Sequence, residues 1–550
     1  MSEKYWKFIS IMESLACLVN CYFKWRILNH FILFIDYINR AYYPISSTML
    51  SVNKFKFVRQ MSSFVSENSV KFSVNGNARI ISLNRPQKLN ALSNEMCNSI
   101  IPRLVEFSNS NSAKLIIIDS TNEKSFCSGG DIVNCVKDNL SGNSNNSIDF
   151  FQNEYNLNYL LSTYGKPIVS IANGIVMGGG VGLSVHNSFR VITDSTRFAM
   201  PETSIGFFND VGTSFWLPKL DFNLGYYLSL TGDELIGIDN LLLGYGTHYV
   251  PSSKLNDLKL RLSEIDYPEL YQDRRNNSTI FNKNSTDQLF ALVNSIIEEF
   301  TIEIPKNHKF KFNNNELNTI EKCFNPNTQK SVNDIIKSLE KDGSEFAIKT
   351  INKLNEKSPL SLNLNWNLLL KNKNVSIKNA LQRELKLAGK LMSNYEKNDF
   401  NDFINEKLIL KNKEKLISKN YKSIDSVPSS IVENLISLDV FNKSNSENDQ
   451  SIEDSKSIAI QMEKLNSLRI SSPKNLKNSI GDFTNYPHHM GLPTEIEIKN
   501  FITGGNDKSV EPVTYNDVIK YFKLKYDNKA GIDAKIKLVL NRKDYGLAKL

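Results

Sequence analysis

Two glycine clusters are the first residues of this sequence that could do chemistry. Residues 126–131 read FCSGGD and residues 174–183 read GIVMGGGVGL, and each cluster follows a predicted buried strand. Glycine lets other groups approach the backbone closely, so amides from two such loops can converge on one developing oxyanion. One cluster alone would be interpreted as a tight turn. Neither has the GxGxxG or GxxxxGK[ST] spacing of phosphate-binding loops.

Two acids, Glu202 and Asp210, lie in the predominantly apolar segment 198–212. Burial disfavours a charged carboxylate, so we expect these side chains to be partly desolvated, with pKa values raised into the range useful for general acid–base chemistry. The alternative is that both are ordinary acids of a surface loop.

His186 and Cys127 lie beside the glycine clusters but lack partners for nucleophilic catalysis. A Ser-His-Asp triad on this kind of fold would need a GxSxG elbow, and the sequence has none near His186. A thiol nucleophile needs a histidine partner, which cannot be assigned to Cys127. We therefore predict a structural role for His186 and a packing role for Cys127.

The elements that must position these residues alternate between strands and helices. Apolar runs at 70–83, 114–119, 166–172 and 189–193 predict strands, and Ser93 predicts the start of a helix. Buried strands alternating with helices indicate an α/β fold whose sheet is covered on both faces.

After about residue 285 the pattern becomes helical. Polar Asn/Ser-rich stretches, including 141–147, predict solvated insertions. Thr494 with Glu497, and Thr514 with Asp517, predict two capped helices near the end of the chain. The predicted organisation is an N-terminal extension, a core, a helical region, a low-complexity linker and a helical C-terminal extension, at 1–66, 67–285, 286–425, 426–480 and 481–550.

Composition is that of an ordinary globular protein, with 41% hydrophobic and 23% charged residues among 550. Of the net charge of +8, residues 1–60 carry +5, so the basic excess is concentrated at the front rather than on a nucleic-acid-binding face. Residues 49–66 have three cations before the first acid, Glu67, which is typical of a mitochondrial targeting segment. Charges interrupt the apolar stretch at 5–43, so we expect no membrane span.

Together these segments resemble the enoyl-CoA hydratase/isomerase (crotonase) superfamily, and within it the 3-hydroxyisobutyryl-CoA hydrolase branch. The resemblance is carried by residues 83–86 (LNRP), residues 89–92 (LNAL), both glycine clusters, His186, residues 200–202 (MPE) and residues 210–212 (DVG). It implies a ClpP/crotonase-like α/β core of repeated ββα units, followed by a helical C-terminal region.

The resemblance also implies roles for individual residues. The amides of Ser128 and Gly179 would form the oxyanion hole, and Glu202 and Asp210 would be catalytic. Glu154, Gly179, Glu202 and Asp210 match the substrate-binding positions of the branch. Gly182 stands where hydratases carry their first glutamate, which argues against hydration of a double bond.

The implied reaction is hydrolysis of a short 3-hydroxyacyl-CoA thioester, most simply 3-hydroxyisobutyryl-CoA in valine catabolism. Glu202 would act as nucleophile or as general base, and both roles stay open. No cofactor and no metal are implied, since coenzyme A is part of the substrate. We expect a mitochondrial matrix protein, and the resemblance leaves oligomerisation open because crotonase relatives often form trimers.

Residues 486–495 and the helices after them extend beyond the bacterial-type hydrolase and resemble an extended mitochondrial fungal form. Some members of that group belong to the mitochondrial small ribosomal subunit, so a structural ribosomal protein on the same fold is the alternative function. A third is an acyl-CoA-binding module without turnover. The sequence also departs from the hydrolase branch at Asn209, which replaces proline, and at residues 399–405, where the glycine and arginine of the branch are missing.

Overall fold

The computed structural model describes residues 68–265, 283–394, 397–412, 416–439, 462–504 and 513–542. The predicted N-terminal extension 1–66, with its targeting segment 49–66, lies outside the described residues. The same holds for residues 440–461 of the predicted linker.

The described strands form two sheets. The larger has the order β1-β2-β3-β5-β7-β10 and the smaller has the order β4-β6-β8-β9. Strands β2, β3, β5, β7 and β10 of the larger sheet are parallel to one another, as are β4, β6 and β8 of the smaller one. The edge strands β1 and β9 pair antiparallel with β2 and β8. The strands are β1 Val70–Asn75, β2 Ala78–Leu83, β3 Leu115–Ser120, β4 Ser125–Cys127, β5 Ile168–Ala172, β6 Ile175–Met177, β7 Phe189–Ile192, β8 Arg197–Ala199, β9 Leu235–Ile236 and β10 His248–Tyr249.

The described helices follow the strand pairs and then dominate the second half of the chain. They are α1 Asn94–Asn109, α2 Ile132–Leu140, α3 Ser144–Ser162, α4 Gly179–Gly182, α5 Thr213–Trp216, α6 Leu224–Thr231, α7 Asp239–Leu243, α8 Leu255–Ser263, α9 Lys283–Glu298, α10 Asn314–Cys323, α11 Val332–Asp342, α12 Glu345–Leu354, α13 Pro359–Asn372, α14 Ile377–Met392, α15 Phe400–Ile404, α16 Ser429–Ile436, α17 Glu495–Ile502, α18 Tyr515–Lys525 and α19 Ile532–Leu540.

Each ββα repeat contributes one strand to each sheet. The pairs β3–β4, β5–β6 and β7–β8 each place their first strand in the larger sheet and their second in the smaller one. Helices α2 and α4 follow the first two pairs directly. This confirms the predicted core of repeated ββα units with a helical region after it.

The apolar run of β3 shows why the larger sheet is buried on both faces. Ile116 and Ile118 pack into one hydrophobic cluster, whereas Leu115 and Ile117 pack into a second. Successive side chains of a strand point to opposite faces, so a continuous apolar run requires cover on both sides. The sequence prediction of a doubly covered sheet is confirmed.

Helix starts were well predicted by their capping residues. The Ser93 side chain accepts a hydrogen bond from the Met96 amide at the start of α1. Thr494 with Glu497, and Thr514 with Asp517, form complete capping boxes at α17 and α18. Each satisfies amide groups that have no partner within the helix.

The prediction of a solvated insertion at 141–147 is confirmed for exposed Asn145 and Asn146, but the segment becomes helical and its last residue is buried. Helix α3 begins at Ser144. Ser147 is buried and donates a hydrogen bond from its hydroxyl to the Cys135 carbonyl, 3.0 Å away. Tertiary packing of α3 against α1, α2 and α14 overrides the polar composition of its first turn.

Candidate active site

The candidate site lies where three strands of the smaller sheet end. Strands β4, β6 and β8 are parallel, so their carboxyl ends meet at one edge of the sheet. The first glycine cluster follows β4, the second follows β6, and Glu202 begins a 3-10 helix, Glu202–Ile205, after β8. The two glycine loops and the acid-bearing segment are thereby brought together.

The loop after β4 is held by a short bridge to residues 89–92. Leu92 donates its amide to the Gly129 carbonyl and accepts from the Asp131 amide, both at 2.8 Å. The Ser128 amide donates to the Leu89 carbonyl at 3.1 Å. That amide is therefore occupied within the protein, which contradicts the prediction that Ser128 supplies an oxyanion donor.

Gly130, two residues later, has its backbone nitrogen close to the second loop. A Cβ added at Gly179 would lie 3.2 Å from the Gly130 nitrogen. The amides of Gly130 and Gly179 donate to no acceptor among the residues that the structure describes. Gly130 and Gly179 are therefore the two glycine amides that lie close together without an internal acceptor, and their role as an oxyanion hole stays a prediction.

Three carboxylates surround these glycines. Glu154, Glu202 and Asp210 have exposed fractions of 1%, 5% and 5%. A Cβ at Gly178 would lie 2.9 Å from Glu202 Oε1, and one at Gly179 would lie 2.5 Å from Glu154 Oε1. Side chains at these positions would displace the carboxylates, and the φ of 46° at Gly178 also favours glycine there.

Two hydrogen bonds orient the acids. Asn209 Nδ2 donates to Glu202 Oε2 at 2.6 Å, and the Tyr155 hydroxyl donates to Asp210 Oδ2 at 2.7 Å. Glu154 Oε1 is buried without a hydrogen-bond partner in the described part of the chain. The departure from proline at Asn209 thus gives Glu202 a donor that proline could not offer.

Burial raises the pKa of all three carboxyl groups. The pKa of Asp210 is raised to about 7, although the Tyr155 hydrogen bond lowers it in part. The pKa of Glu202 is raised to about 8 by burial and then by the charge of Asp210. For Glu154, burial and the charges of Asp210 and Glu202 all raise the pKa. This confirms the predicted desolvation of the acids in 198–212.

Sequence reasoning missed Asn158, which lies one helical turn after Glu154 on α3. Its Oδ1 and Nδ2 atoms are both buried and have no hydrogen-bond partner among the described residues. A Cβ at Gly182 would lie 2.9 Å from Asn158 Nδ2 and 2.5 Å from Val211 Cβ. The i, i+4 spacing from Glu154 was the available signal, since it places both side chains on one helix face.

Sequence reasoning also missed Glu384 on α14. Its carboxylate accepts from the Gly212 amide at 2.6 Å and from the amide and hydroxyl of Ser214. Burial raises the pKa of Glu384 to about 8. This acid fixes the turn that carries Asp210. Glu384 is 172 residues from Gly212 in the sequence, so no local pattern could have indicated the contact.

Cys127 and His186 take no part in a nucleophilic pair. Burial raises the pKa of the Cys127 thiol to about 12, which suppresses the reactive thiolate. Both ring nitrogens of His186 bond to groups of the protein, at 2.8 Å each. These contacts agree with the structural roles predicted for both residues.

Within the described ranges, no group of three or more His, Cys, Asp or Glu has an arrangement that could hold a metal ion. Over the same ranges, no helix is long and apolar enough to cross a membrane.

Comparison with known families places most of the chain in one family. A model of the enoyl-CoA hydratase/isomerase family matches residues 78–436. A crystal structure of a carnitinyl-CoA dehydratase from Mycobacterium thermoresistibile has a TM-score of 0.55 and 25% identity, and the match covers 68% of this chain and 97% of that one.

Curated relatives carry two kinds of name. The small ribosomal subunit protein mS47 of Neurospora crassa is 36% identical over 362 residues, covering 64% of this chain and 68% of the relative. The mitochondrial 3-hydroxyisobutyryl-CoA hydrolase of Danio rerio is 36% identical over 327 residues, covering 60% and 80%. That of Gallus gallus is 37% identical over 321 residues, covering 58% and 77%.

Proposed function

Because the chain belongs to the enoyl-CoA hydratase/isomerase family, we propose that it is an enzyme that hydrolyses the thioester of a short 3-hydroxyacyl-CoA. The observation that carries the proposal is the grouping of three buried carboxylates around two glycine loops, each with an amide that donates to no acceptor in the described chain. The hydrolase names of relatives at 36% and 37% identity support the choice of 3-hydroxyisobutyryl-CoA, an intermediate of valine catabolism.

In this proposal the amides of Gly130 and Gly179 bind the thioester oxygen as it becomes negative. Donors aimed at a developing charge in a dry site stabilise the transition state strongly, because they need no reorganisation. A side chain at Gly179 would press on Glu154 and on the Gly130 amide, and one at Gly130 would press on the Phe150 ring. The oxyanion hole thus involves no side chain of either residue.

Glu202 Oε1 is the atom proposed to start hydrolysis. Asn209 holds Oε2, and Oε1 is the oxygen that lies beside Gly178. It either attacks the thioester carbon or removes a proton from an attacking water, and both uses require ionised Glu202. A pKa of about 8 makes the ionised acid a stronger base than an ordinary carboxylate.

The unpaired polar atoms on α3 favour a substrate with a hydroxyl group. Glu154 Oε1 and both amide atoms of Asn158 are buried without partners in the described chain, which is costly unless a ligand or water satisfies them. A 3-hydroxyl group can donate to Glu154 and accept from Asn158. Asp210, held by Tyr155, then orients water or the same hydroxyl.

The test compares three substrates with the purified full-length protein. Thiol release is measured with (S)-3-hydroxyisobutyryl-CoA, with isobutyryl-CoA, and with crotonyl-CoA as a substrate for hydration. We expect thiol release from the hydroxy ester, at least about tenfold less from its analogue without the hydroxyl group, and no hydration. Absence of thiol release from every ester would refute the hydrolase proposal.

A second candidate function is membership of the mitochondrial small ribosomal subunit. The specific observation is the mS47 relative, whose similarity extends over 362 residues. Both kinds of relative support a mitochondrial location, which we assign to the matrix. Co-sedimentation of the tagged protein with small subunits from mitochondrial lysates tests the ribosomal role independently of turnover.

A further inference from the structure

The turn that follows Asp210 has a strained backbone. Val211 has a φ of 53° and Gly212 has a φ of 79°. The left-handed region is unfavourable for a β-branched residue and persists only where surrounding contacts hold it. The contacts of this turn therefore decide where the Asp210 carboxylate lies.

His186 provides one of these contacts, and its hydrogen bonds define its tautomer. Nε2 lies 2.8 Å from the Val211 carbonyl, which can only accept, so Nε2 carries the proton. Burial lowers the pKa of His186 to about 4, so the ring is neutral at physiological pH. Nδ1 is then an acceptor, and the Tyr486 hydroxyl 2.8 Å away is its donor.

Tyr486 lies 50 residues beyond the end of the family match at residue 436. Its segment is fixed to the core by backbone bonds from Ile480 to Thr163 at 3.0 Å and from Ile377 to Phe483 at 2.9 Å. The ring of Tyr486 also packs edge-on against Phe215, with centroids 5.5 Å apart. Residues 480–486, the late segment, thus pack directly against the core beside the turn that follows Asp210.

We propose that Tyr486 is a positioning residue for Asp210 and acts through His186 and the Val211 carbonyl. The Tyr486 hydroxyl selects the Nε2-protonated ring, that ring holds Val211 in its strained conformation, and Val211 sets the direction of the preceding carboxylate. Glu384 holds the other side of the same turn through Gly212. The catalytic consequence rests on the proposed hydrolase function, whereas the structural coupling does not.

The test uses Tyr486→Phe, which keeps the ring and its packing but removes the donor. The matched control is Tyr526→Phe, because the Tyr526 hydroxyl donates to Glu497 at 2.8 Å, away from the turn. Hydrogen exchange of the full-length proteins is followed by mass spectrometry in peptides covering 209–216. We expect roughly five- to tenfold faster exchange there in Tyr486→Phe, the loss of about one hydrogen bond, and no change in the control.

Kinetics provide the second measurement. Tyr486→Phe is expected to lower kcat about five- to tenfold with little change in KM, because substrate still binds while Asp210 is less well placed. Unchanged exchange at 209–216 would overturn the coupling, and a changed KM with unchanged kcat would overturn the positioning role. A wild-type protein that releases no thiol would refute the proposed function, while the exchange measurement would still decide the coupling.

Discussion

Acids in two regions of this protein have pKa values that are shifted in opposite directions. Glu202, with Glu154 and Asp210, is buried among groups that include no cation in the described chain, and its pKa is raised to about 8. Glu298, at the end of α9, lies 2.5 Å from Lys529 Nζ and 3.1 Å from His248 Nε2. Although burial alone raises it, bonds from both partners and the charge of Lys529 lower the pKa of Glu298 far below its usual range.

The difference separates an acid that can react from an acid that holds the fold. Glu298, paired with Lys529, stays ionised and ties the residues around Lys529 to α9. Glu202, which has no cationic partner among the described residues, stays near its titration point at neutral pH, where a carboxylate can exchange protons with a substrate or water. Glu202 lacks the stabilisation that a cationic partner would provide, so other contacts must stabilise the fold.

The largest expected effect comes from filling the space beside the three acids of the candidate site. Gly179→Val would place its Cβ 2.5 Å from Glu154 Oε1 and against the Gly130 amide. Loss of an oxyanion donor costs on the order of 10²–10³ in rate, so we expect thiol release to fall by at least that factor. Steady-state kinetics with 3-hydroxyisobutyryl-CoA measure it.

The control for this substitution is Gly491→Ala, because a Cβ there would meet its nearest neighbour at 3.8 Å, an ordinary contact. Its rate should equal that of the wild type. Full activity in Gly179→Val would mean that the glycine loops do not bind the reacting group.

The next largest effect comes from removing the cation that pairs with Glu298. Lys529→Met leaves Glu298 without its cation and should destabilise the protein by on the order of 2–3 kcal/mol at pH 7. Since the pKa of Glu298 is lowered far below its ordinary value of 4.5 in the folded state, the deficit should be full at neutral pH and begin to shrink below about pH 4.5, where the unfolded chain binds a proton that folded Glu298 does not. Urea unfolding at pH 7 and pH 4 measures both.

Lys523→Met is the matched control for the ion pair, because the Lys523–Asp533 pair, at 2.9 Å, has both side chains at least 35% exposed. Exposed pairs contribute little, so its unfolding free energy should barely change. Equal destabilisation by the two substitutions would remove the contrast between Glu298 and Glu202.

Substitution of Glu202, which has no cationic partner in the described ranges, should change the free energy of unfolding in the opposite direction. Glu202 has a folded pKa of about 8 against an ordinary value of 4.5, so its contribution to stability falls as pH rises between these values. Glu202→Gln removes that penalty and should raise stability by on the order of 2 kcal/mol at pH 8, with little gain at pH 4.5. Thermal unfolding across this pH range checks the expectation, and a loss of stability at pH 8 would contradict it.

The smallest effect tests the hydrogen bond to Glu202. Asn209→Ala removes the donor at 2.6 Å that lowers the pKa of Glu202. The pKa should rise and the acidic limb of the kcat/KM profile should move to higher pH, with about a fivefold loss at pH 7. An unmoved limb would show that Glu202 does not control this ionisation.

Local sequence signals predicted the acids of the site well. Glu202 and Asp210 stand among Phe207, Phe208 and Val211, and those apolar neighbours account for the burial that raises both pKa values. The starts of α1, α17 and α18 were predicted equally well from their capping residues, because a cap depends on residues three positions apart.

Features set by distant contacts were not predictable. The prediction named Ser128 and not Gly130, since the sequence cannot show that the Leu89 carbonyl occupies the Ser128 amide. Glu384 reaches the Asp210 turn from 172 residues away, and Tyr486 reaches His186 from 300 residues away. Such pairings depend on how α14 and the late segment pack, which no local pattern encodes.

The most direct test of the contrast compares Glu202→Gln with Glu298→Gln in one thiol-release assay, with thermal unfolding of both proteins. We predict that Glu202→Gln loses on the order of 10³-fold or more in kcat/KM without losing stability, whereas Glu298→Gln loses stability and keeps kcat within about threefold. Wild-type turnover by Glu202→Gln, or equal inactivity of folded Glu298→Gln, would contradict the account.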